Sequence, residues 1–203
     1  MLKKFDFFSV KLYYGHMCKL AFYYSSMNSG KSLAVLTKNY MLREKGFRTV
    51  LMKPAVDTRT DHTIATRLGI EAECSVLAPD ELPSTQVLHS AADKPDYVLV
   101  DEAQFLSAEQ IWDLANLVDN WGINVYCYGL RLDWQGNFFT GSETLFKIAD
   151  NIEAIENICK YTGAPAYFHI KLAGTDASVE VGAEDMYESV SRKRWREWQK
   201  NKA

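Results

Sequence analysis

The sequence predicts an α/β fold, a P-loop-type parallel sheet flanked by helices, followed by a small β-rich unit. Three observations lead there. Short apolar runs alternate with helix-compatible stretches as far as about residue 155, the order that right-handed parallel crossovers require. A polar, glycine-containing loop, Ser25-Ser26-Met27-Asn28-Ser29-Gly30-Lys31-Ser32, joins the first such run to the first such stretch. After Cys159 the pattern breaks into short pieces punctuated by Gly163, Pro165, Gly174 and Gly182.

Residues 1–16 mix Lys3, Lys4 and Lys11 with Phe5, Phe7, Phe8, Tyr13 and Tyr14. They read as an extension, with three alternatives open: an extra strand, a disordered arm, or sequence upstream of a start at Met17. The main domain is expected over residues 17–155. Residues 19–24 (KLAFYY) form its first strand, and 32–45, free of Gly and Pro, its first helix. Gly46 stands where a helix end favours a left-handed residue, and 49–52 (TVLM) is the next buried strand, closed by Pro54.

Residues 96–100 (DYVLV) suit a central parallel strand, ending at the acidic pair Asp101-Glu102. Ser107 and Gln110 make a capping box, and Ile111, Leu114, Ala115 and Val118 share one helical face. The run 123–128 (INVYCY) is another strand. The small unit is placed at 156–190, with strand-like pieces at 167–172 and 179–181. The basic tail 191–203 is helix-compatible; a solvated terminal helix is the first reading and a nucleic-acid contact the second.

Composition narrows the partners. With 23 basic against 26 acidic residues and a net charge of −3, the chain has no broad cationic surface, so a small nucleotide is expected and no stable nucleic-acid partner. No apolar run approaches the roughly 20 residues that span a bilayer, so no membrane partner is expected. Cys18, Cys74, Cys127 and Cys159 are widely spaced, which argues against a disulfide framework and for a reducing, cytoplasmic setting.

The loop 25–32 matches the phosphate-binding pattern G-x-x-x-x-G-K-[ST] except that Ser25 replaces the first glycine. Placed between strand and helix, its backbone N–H groups and the positive helix end would face the phosphates of ATP. Lys31 would reach the β- and γ-phosphates and the Ser32 hydroxyl would bind Mg²⁺. Asp101, at the end of a central strand, is where a second magnesium-holding carboxylate belongs, and Glu102 beside it can accept a proton from an attacking hydroxyl. A nucleotide hydrolase or a kinase would share both motifs, so they leave the acceptor open.

The pieces SSMNSGKS (25–32), VDTR (56–59), TRLG (66–69), VDEAQFL (100–106), YGLRLDWQGNFF (128–139) and VEVGAEDMYESV (179–190) occur in one order. Through them the sequence resembles the cellular-type thymidine kinases from about residue 19 to residue 190. The resemblance implies transfer of the γ-phosphate of ATP to the 5′-hydroxyl of thymidine, with Glu102 as general base and Asp101 and Gln104 in the ATP and magnesium set. It places Arg59 by the transferring phosphate. Trp134, where the family usually has phenylalanine, would face the thymine ring.

Phe105, Leu130 and Phe139 are then either apolar walls of the pocket or plain core. The segment 179–187 corresponds to a lasso that closes over the nucleoside, with Val179 and Val181 offering main-chain hydrogen bonds and Tyr187 at the sugar end. A homotetramer and feedback by thymidine triphosphate are further implications. The departure is a structural zinc site: Cys159 matches the first ligand, but Thr162, Ser191 and Arg194 occupy the other three positions. No structural zinc is therefore expected, since tetrahedral zinc needs four N or S donors. His169 is the only nearby substitute and is misplaced by spacing. Rival readings are a P-loop ATPase on nucleic acid and a non-catalytic nucleotide binder.

Overall fold

The computed structural model describes residues 18–57, 62–88, 94–172 and 186–202; the extension 1–16 and the piece 179–181 lie outside them. The strands β1 (Leu20–Ser25), β2 (Thr49–Pro54), β5 (Ser75–Leu77), β6 (Tyr97–Val100), β7 (Asn124–Leu130) and β8 (Asn151–Ala154) form one sheet in the order β5-β2-β6-β7-β1-β8. Every pairing in it is parallel. The helices are α1 (Lys31–Glu44), α2 (Pro83–Val87), α3 (Ala108–Trp121), α4 (Thr140–Ile148) and α5 (Arg192–Lys202).

Strand alternation sorts the side chains into two cores. Leu20 and Phe22 of β1, Val98 and Val100 of β6, and Val125 and Cys127 of β7 meet Ile111, Leu114 and Leu117 of α3 on one face. Ala21, Leu99, Tyr126 and Tyr128 point the other way and meet Val35, Leu36 and Leu42 of α1. Helices therefore cover both faces of the sheet, and the loops after β1 and β6 open at the same carboxyl edge with β7 between them. That edge is where open α/β sheets bind ligands.

Local signals hold where they are strong. Gly46 lies just past the end of α1 with φ 83°, and the Ser107–Gln110 capping box is formed in both directions. Between residues 62 and 88 the sequence reading assigned no elements, yet β3 (Thr63–Ala65) and β4 (Glu71–Glu73) form an antiparallel hairpin, followed by β5 and α2. These elements are three to five residues long, too short for a periodicity to register. The hairpin turn is instead closed by Thr66, whose N–H and Oγ1 both bond the Ile70 carbonyl, with Gly69 at φ 76°.

Beyond β8, β9 (Phe168–Lys171) and β10 (Tyr187–Val190) form an antiparallel pair. The terminal helix is more than a solvated one. Trp195 and Trp198 of α5 pack on the small core of Cys159, Ala166, Ile170 and Val190. The Trp195 indole N–H donates to the Trp134 carbonyl over 2.9 Å, while its basic residues Arg192, Lys193 and Arg196 stay exposed.

Candidate functional site

The loop after β1 is bent by two left-handed residues, Asn28 at φ 57° and Gly30 at φ 80°, which turns successive backbone N–H groups toward one concavity. Gly30 is the N-cap of α1 and no side chain caps that end, leaving first-turn amides for a ligand. Ser25, in place of the motif's first glycine, is fully buried and donates its hydroxyl to the Ile155 carbonyl over 2.9 Å. Lys31 curls back to donate to the Ser26 carbonyl at 3.1 Å. The shielded Ser29 hydroxyl has no hydrogen-bond partner among the described residues. A cradle of amides, one buried ammonium and an unspent hydroxyl fits a polyphosphate.

At the end of β6, Asp101 and Glu102 are both buried. The Ser32 hydroxyl donates to Asp101 Oδ2 over 2.7 Å, and the Glu102 N–H donates to Asp101 Oδ1 over 3.0 Å. Burial pushes the Asp101 carboxyl up to about 6 and the charge of Glu102 adds to this, while Ser32 and Lys31 oppose it. A carboxylate so placed favours a cation, and the hydroxyl and carboxylate pair suits Mg²⁺, a hard ion that takes oxygen ligands.

Glu102 itself sits at φ 52°, unusual for a residue with a Cβ. The residues after it fix that geometry. Gln104 donates to Glu102 Oε2 over 2.5 Å and accepts the Leu130 N–H at 3.0 Å, so the end of β7 orients the glutamate. The turn Ala103–Phe105 is packed so closely on α4 that a Cβ at Gly141 would run into the Ala103 carbonyl.

A cleft of about 310 Å³ joins these parts, lined by the phosphate loop from Met27 to Ser32 and by Asp57, Thr66, Arg67, Glu102, Gln104, Phe105 and Leu130. Of the expected apolar walls, Phe105 and Leu130 line it, and Phe139 stands behind, edge to face with Phe105 at 5.7 Å. Trp134 does not line this cleft. It lies on the small unit, edge to face with Trp198 at 5.9 Å and with the Lys171 ammonium 5.7 Å above its ring. The same ammonium is 5.3 Å from the Tyr187 ring, so Trp134 and Tyr187 do meet in one neighbourhood. Arg59, Val179 and Val181 lie outside the described residues.

Several residues without a role in the sequence analysis line the cleft or touch the loop. Arg67, inside the quoted TRLG piece, donates to Asn28 Oδ1 over 2.8 Å. Asp57, in the VDTR piece, pairs with the buried Lys53 at 3.6 Å. His169, considered only as a zinc ligand, accepts the Met27 N–H. Arg67 and Asp57 were findable as charged residues within motif pieces; His169 has no local sequence signal.

The positions that would hold a family zinc do come together, but as a hydrogen-bonded cluster. Thr162 Oγ1 donates to Ser191 Oγ over 3.0 Å, and the Arg194 N–H donates to the same oxygen over 3.4 Å. Around the Cys159 sulfur, burial pushes the thiol up, but hydrogen bonds from Thr162, Ser191 and Tyr161 outweigh it and bring it down to about 7. Two hydroxyls and a guanidinium are not zinc donors, and among the described residues no three His, Cys, Asp or Glu side chains are grouped so as to hold a metal ion between them. These residues do not fit the metal.

Known proteins resemble this chain over most of its length. A family model described as thymidine kinase matches residues 18–195. The thymidine kinase of Ruegeria pomeroyi is 41% identical over 189 residues, covering 89% of this chain and 95% of that protein. That of Shewanella oneidensis is 39% identical over 190 residues, covering 90% and 98%. That of Jannaschia sp. is 40% identical over 190 residues, covering 89% and 96%. Among solved structures, the Pif1 helicase from Candida albicans overlays with a TM-score of 0.42 at 12% identity, over 81% of this chain and 41% of that one. Matched by the family model and by these relatives over most of its length, the chain belongs to the thymidine kinase family.

Proposed function

We propose that the cleft carries out the family's reaction, transfer of the γ-phosphate of ATP to the 5′-hydroxyl of thymidine. The observation that carries this reading is the pairing of a phosphate cradle with a buried, oriented carboxylate: Glu102, held by Gln104, opens on the same cleft as Lys31 and the loop amides. Glu102 takes the proton of the 5′-hydroxyl as that oxygen bonds to the γ-phosphorus, and the bond to the bridging oxygen of ADP breaks. Lys31 and the amides of the loop hold the phosphates in line, and Arg59 adds charge where it spreads onto the transferring group. Ser32 and Asp101 would hold Mg²⁺, which would supply positive charge to offset that of the phosphates.

In this reading thymidine lies toward the small unit, with Val179 and Val181 as main-chain partners, Tyr187 at the sugar end, and Trp134 as stacking surface once the Lys171 ammonium that lies over its ring is displaced. The Tyr187 hydroxyl is buried without a hydrogen-bond partner among the described residues, which supports a ligand contact there. Phe105 and Leu130 wall the cleft. Zinc is not a cofactor in this reading. By family likeness the enzyme is a cytoplasmic homotetramer of nucleotide salvage, inhibited by thymidine triphosphate, with neither membrane nor nucleic acid as partner. A non-catalytic binder is not favoured, because Ser32, Asp101, Glu102 and Gln104 are linked by successive hydrogen bonds.

The test is transfer of labelled γ-phosphate from ATP to thymidine by the purified protein, beside other nucleosides. Formation of thymidine monophosphate that requires Mg²⁺ supports the reading. No transfer to thymidine under conditions where ATP binds would refute it.

A further inference from the structure

Met27 lies in the phosphate loop, yet its peptide is held from the other end of the chain. Its N–H donates to His169 Nε2 over 2.8 Å. Its carbonyl accepts from Ser189 Oγ over 2.6 Å and from Asn157 Nδ2 over 3.2 Å. Asn157 Nδ2 also reaches Ser26 Oγ at 3.0 Å. The three side chains come from β9, β10 and the strand-free stretch that leads into the small unit, 130 to 162 residues away in sequence. His169 is buried, and its ring is also hydrogen-bonded to the Leu132 backbone.

Both backbone polar groups of Met27, one from each of the two peptides that flank its Cα, are thus spent on the small unit. Peptide orientation in this loop decides which amides face the phosphates, so fixing the two peptides that flank Met27 fixes the concavity that follows them. We propose that His169, Ser189 and Asn157 are positioning residues that clamp the Met27 peptide and thereby make the ATP-binding shape of the phosphate loop depend on the docked small unit. The clamp keeps its acceptor through the physiological range, because burial, with Lys31 and Arg131 nearby, holds the His169 imidazole down to about 3. His169 and Ser189 are cross-strand partners, and Ser189 is two residues from Tyr187, so the strand that carries the expected nucleoside contact also carries the loop contact. This last link rests on the proposed thymidine reading; the clamp on the loop does not.

The experiment is ATP binding by titration calorimetry with no acceptor present, together with the KM for ATP, the KM for thymidine, kcat and the melting temperature. The variants are His169→Phe, which fills the space without accepting, His169→Gln, which can both accept and donate, and Ser189→Ala. His169→Phe is expected to weaken ATP binding by about tenfold and Ser189→Ala by about threefold, while His169→Gln stays within about threefold of the parent. The KM for ATP should rise more than the KM for thymidine. Unchanged ATP binding in folded His169→Phe overturns the proposal, as does an equal loss in His169→Gln. Where His169→Phe does not fold, Ser189→Ala decides: weaker ATP binding supports the clamp and unchanged binding overturns it. Because ATP is titrated alone, the result stands apart from whether thymidine is the acceptor.

Discussion

The Ser32 hydroxyl donates to Asp101 Oδ2 over 2.7 Å although the strands that deliver them, β1 and β6, are separated in the sheet by β7. The contact exists because both loops leave the sheet at its carboxyl edge and α1 begins there, so one oxygen from each arrives at the same point. Removing the charge from Asp101 should loosen the cation more than it disturbs the fold, since an amide can still accept from Ser32. Asp101→Asn is expected to lower kcat/KM by about a hundredfold or more and to shift the Mg²⁺ requirement upward. Activity measured as a function of Mg²⁺ concentration checks this; a variant with an unchanged Mg²⁺ dependence would place the metal elsewhere.

Glu102→Gln tests the proton acceptor with the least change of shape. The glutamine can keep its contact with Gln104 after an amide flip, and the left-handed backbone is unaffected. If Glu102 acts as the base, kcat falls by about 10² to 10⁴ while ATP affinity changes by less than about threefold. Steady-state rates beside ATP titration give both numbers, and a fall in ATP affinity that matches the fall in rate would make Glu102 a binding group instead.

The legibility of the molecule in its sequence follows from the range of the signals. β1, β6, β7, α1 and α3 were readable because each carries its own periodicity, cap or motif within one stretch, and the Ser25–Ser32 loop and the Asp101-Glu102 pair were readable for the same reason. What escaped is built from distant parts. No spacing announces that Gln104 would be shared between Glu102 and the Leu130 N–H, or that His169 would meet Met27. Trp195 and Trp198 sit in a basic tail that reads as solvated, yet they are three apart and share one helical face, a stripe that identifies a docked helix once weighed against the surrounding lysines and arginines. Gly141 gave no sign of its role, which depends on the carbonyls of a turn nearly forty residues earlier.

Acid should reveal His169. Its folded value lies near 3, lowered by burial first and then by Lys31 and Arg131, whereas an unfolded histidine titrates near 6.5. Between those values the unfolded chain takes up a proton that the native protein does not. This contribution to stability is therefore complete above about pH 6.5 and is lost as pH falls, by up to about 1.4 kcal/mol per pH unit. Glu188 is held below the ordinary glutamate range, because hydrogen bonds from Lys160 and Tyr161 outweigh its burial; its contribution is lost only at lower pH. Asp101, pushed up to about 6, and Cys159, brought down to about 7, titrate in the same range, so it is the difference between parent and His169→Gln in urea midpoints from pH 7.5 to 5 that isolates the histidine. The gap between parent and His169→Gln should narrow with falling pH, and a gap constant across the window would mean that His169 takes up its proton equally in the folded and the unfolded chain.

The small unit should hold without metal. Where a zinc would join two chain segments, Thr162 is bonded to Ser191. Glu188 of β10 accepts from Tyr161 over 2.6 Å and pairs with Lys160, and the Arg194 guanidinium lies 4.9 Å from the Tyr161 ring centre. These bonds join the segment around Cys159 to β10 and the start of α5, which is the connection a bound metal would make. Individually weak, they act on an already packed core of Cys159, Ala166, Ile170 and Val190. Ser191→Ala removes the shared oxygen and is expected to cost about 1 kcal/mol, while incubation with a strong chelator should leave the melting temperature within about 1 °C, since nothing linked to folding is withdrawn. Elemental analysis of the same sample completes the measurement. Zinc at one equivalent per chain, or a melting temperature that drops on chelation, would mean that Cys159 recruits ligands which Thr162, Ser191 and Arg194 do not supply.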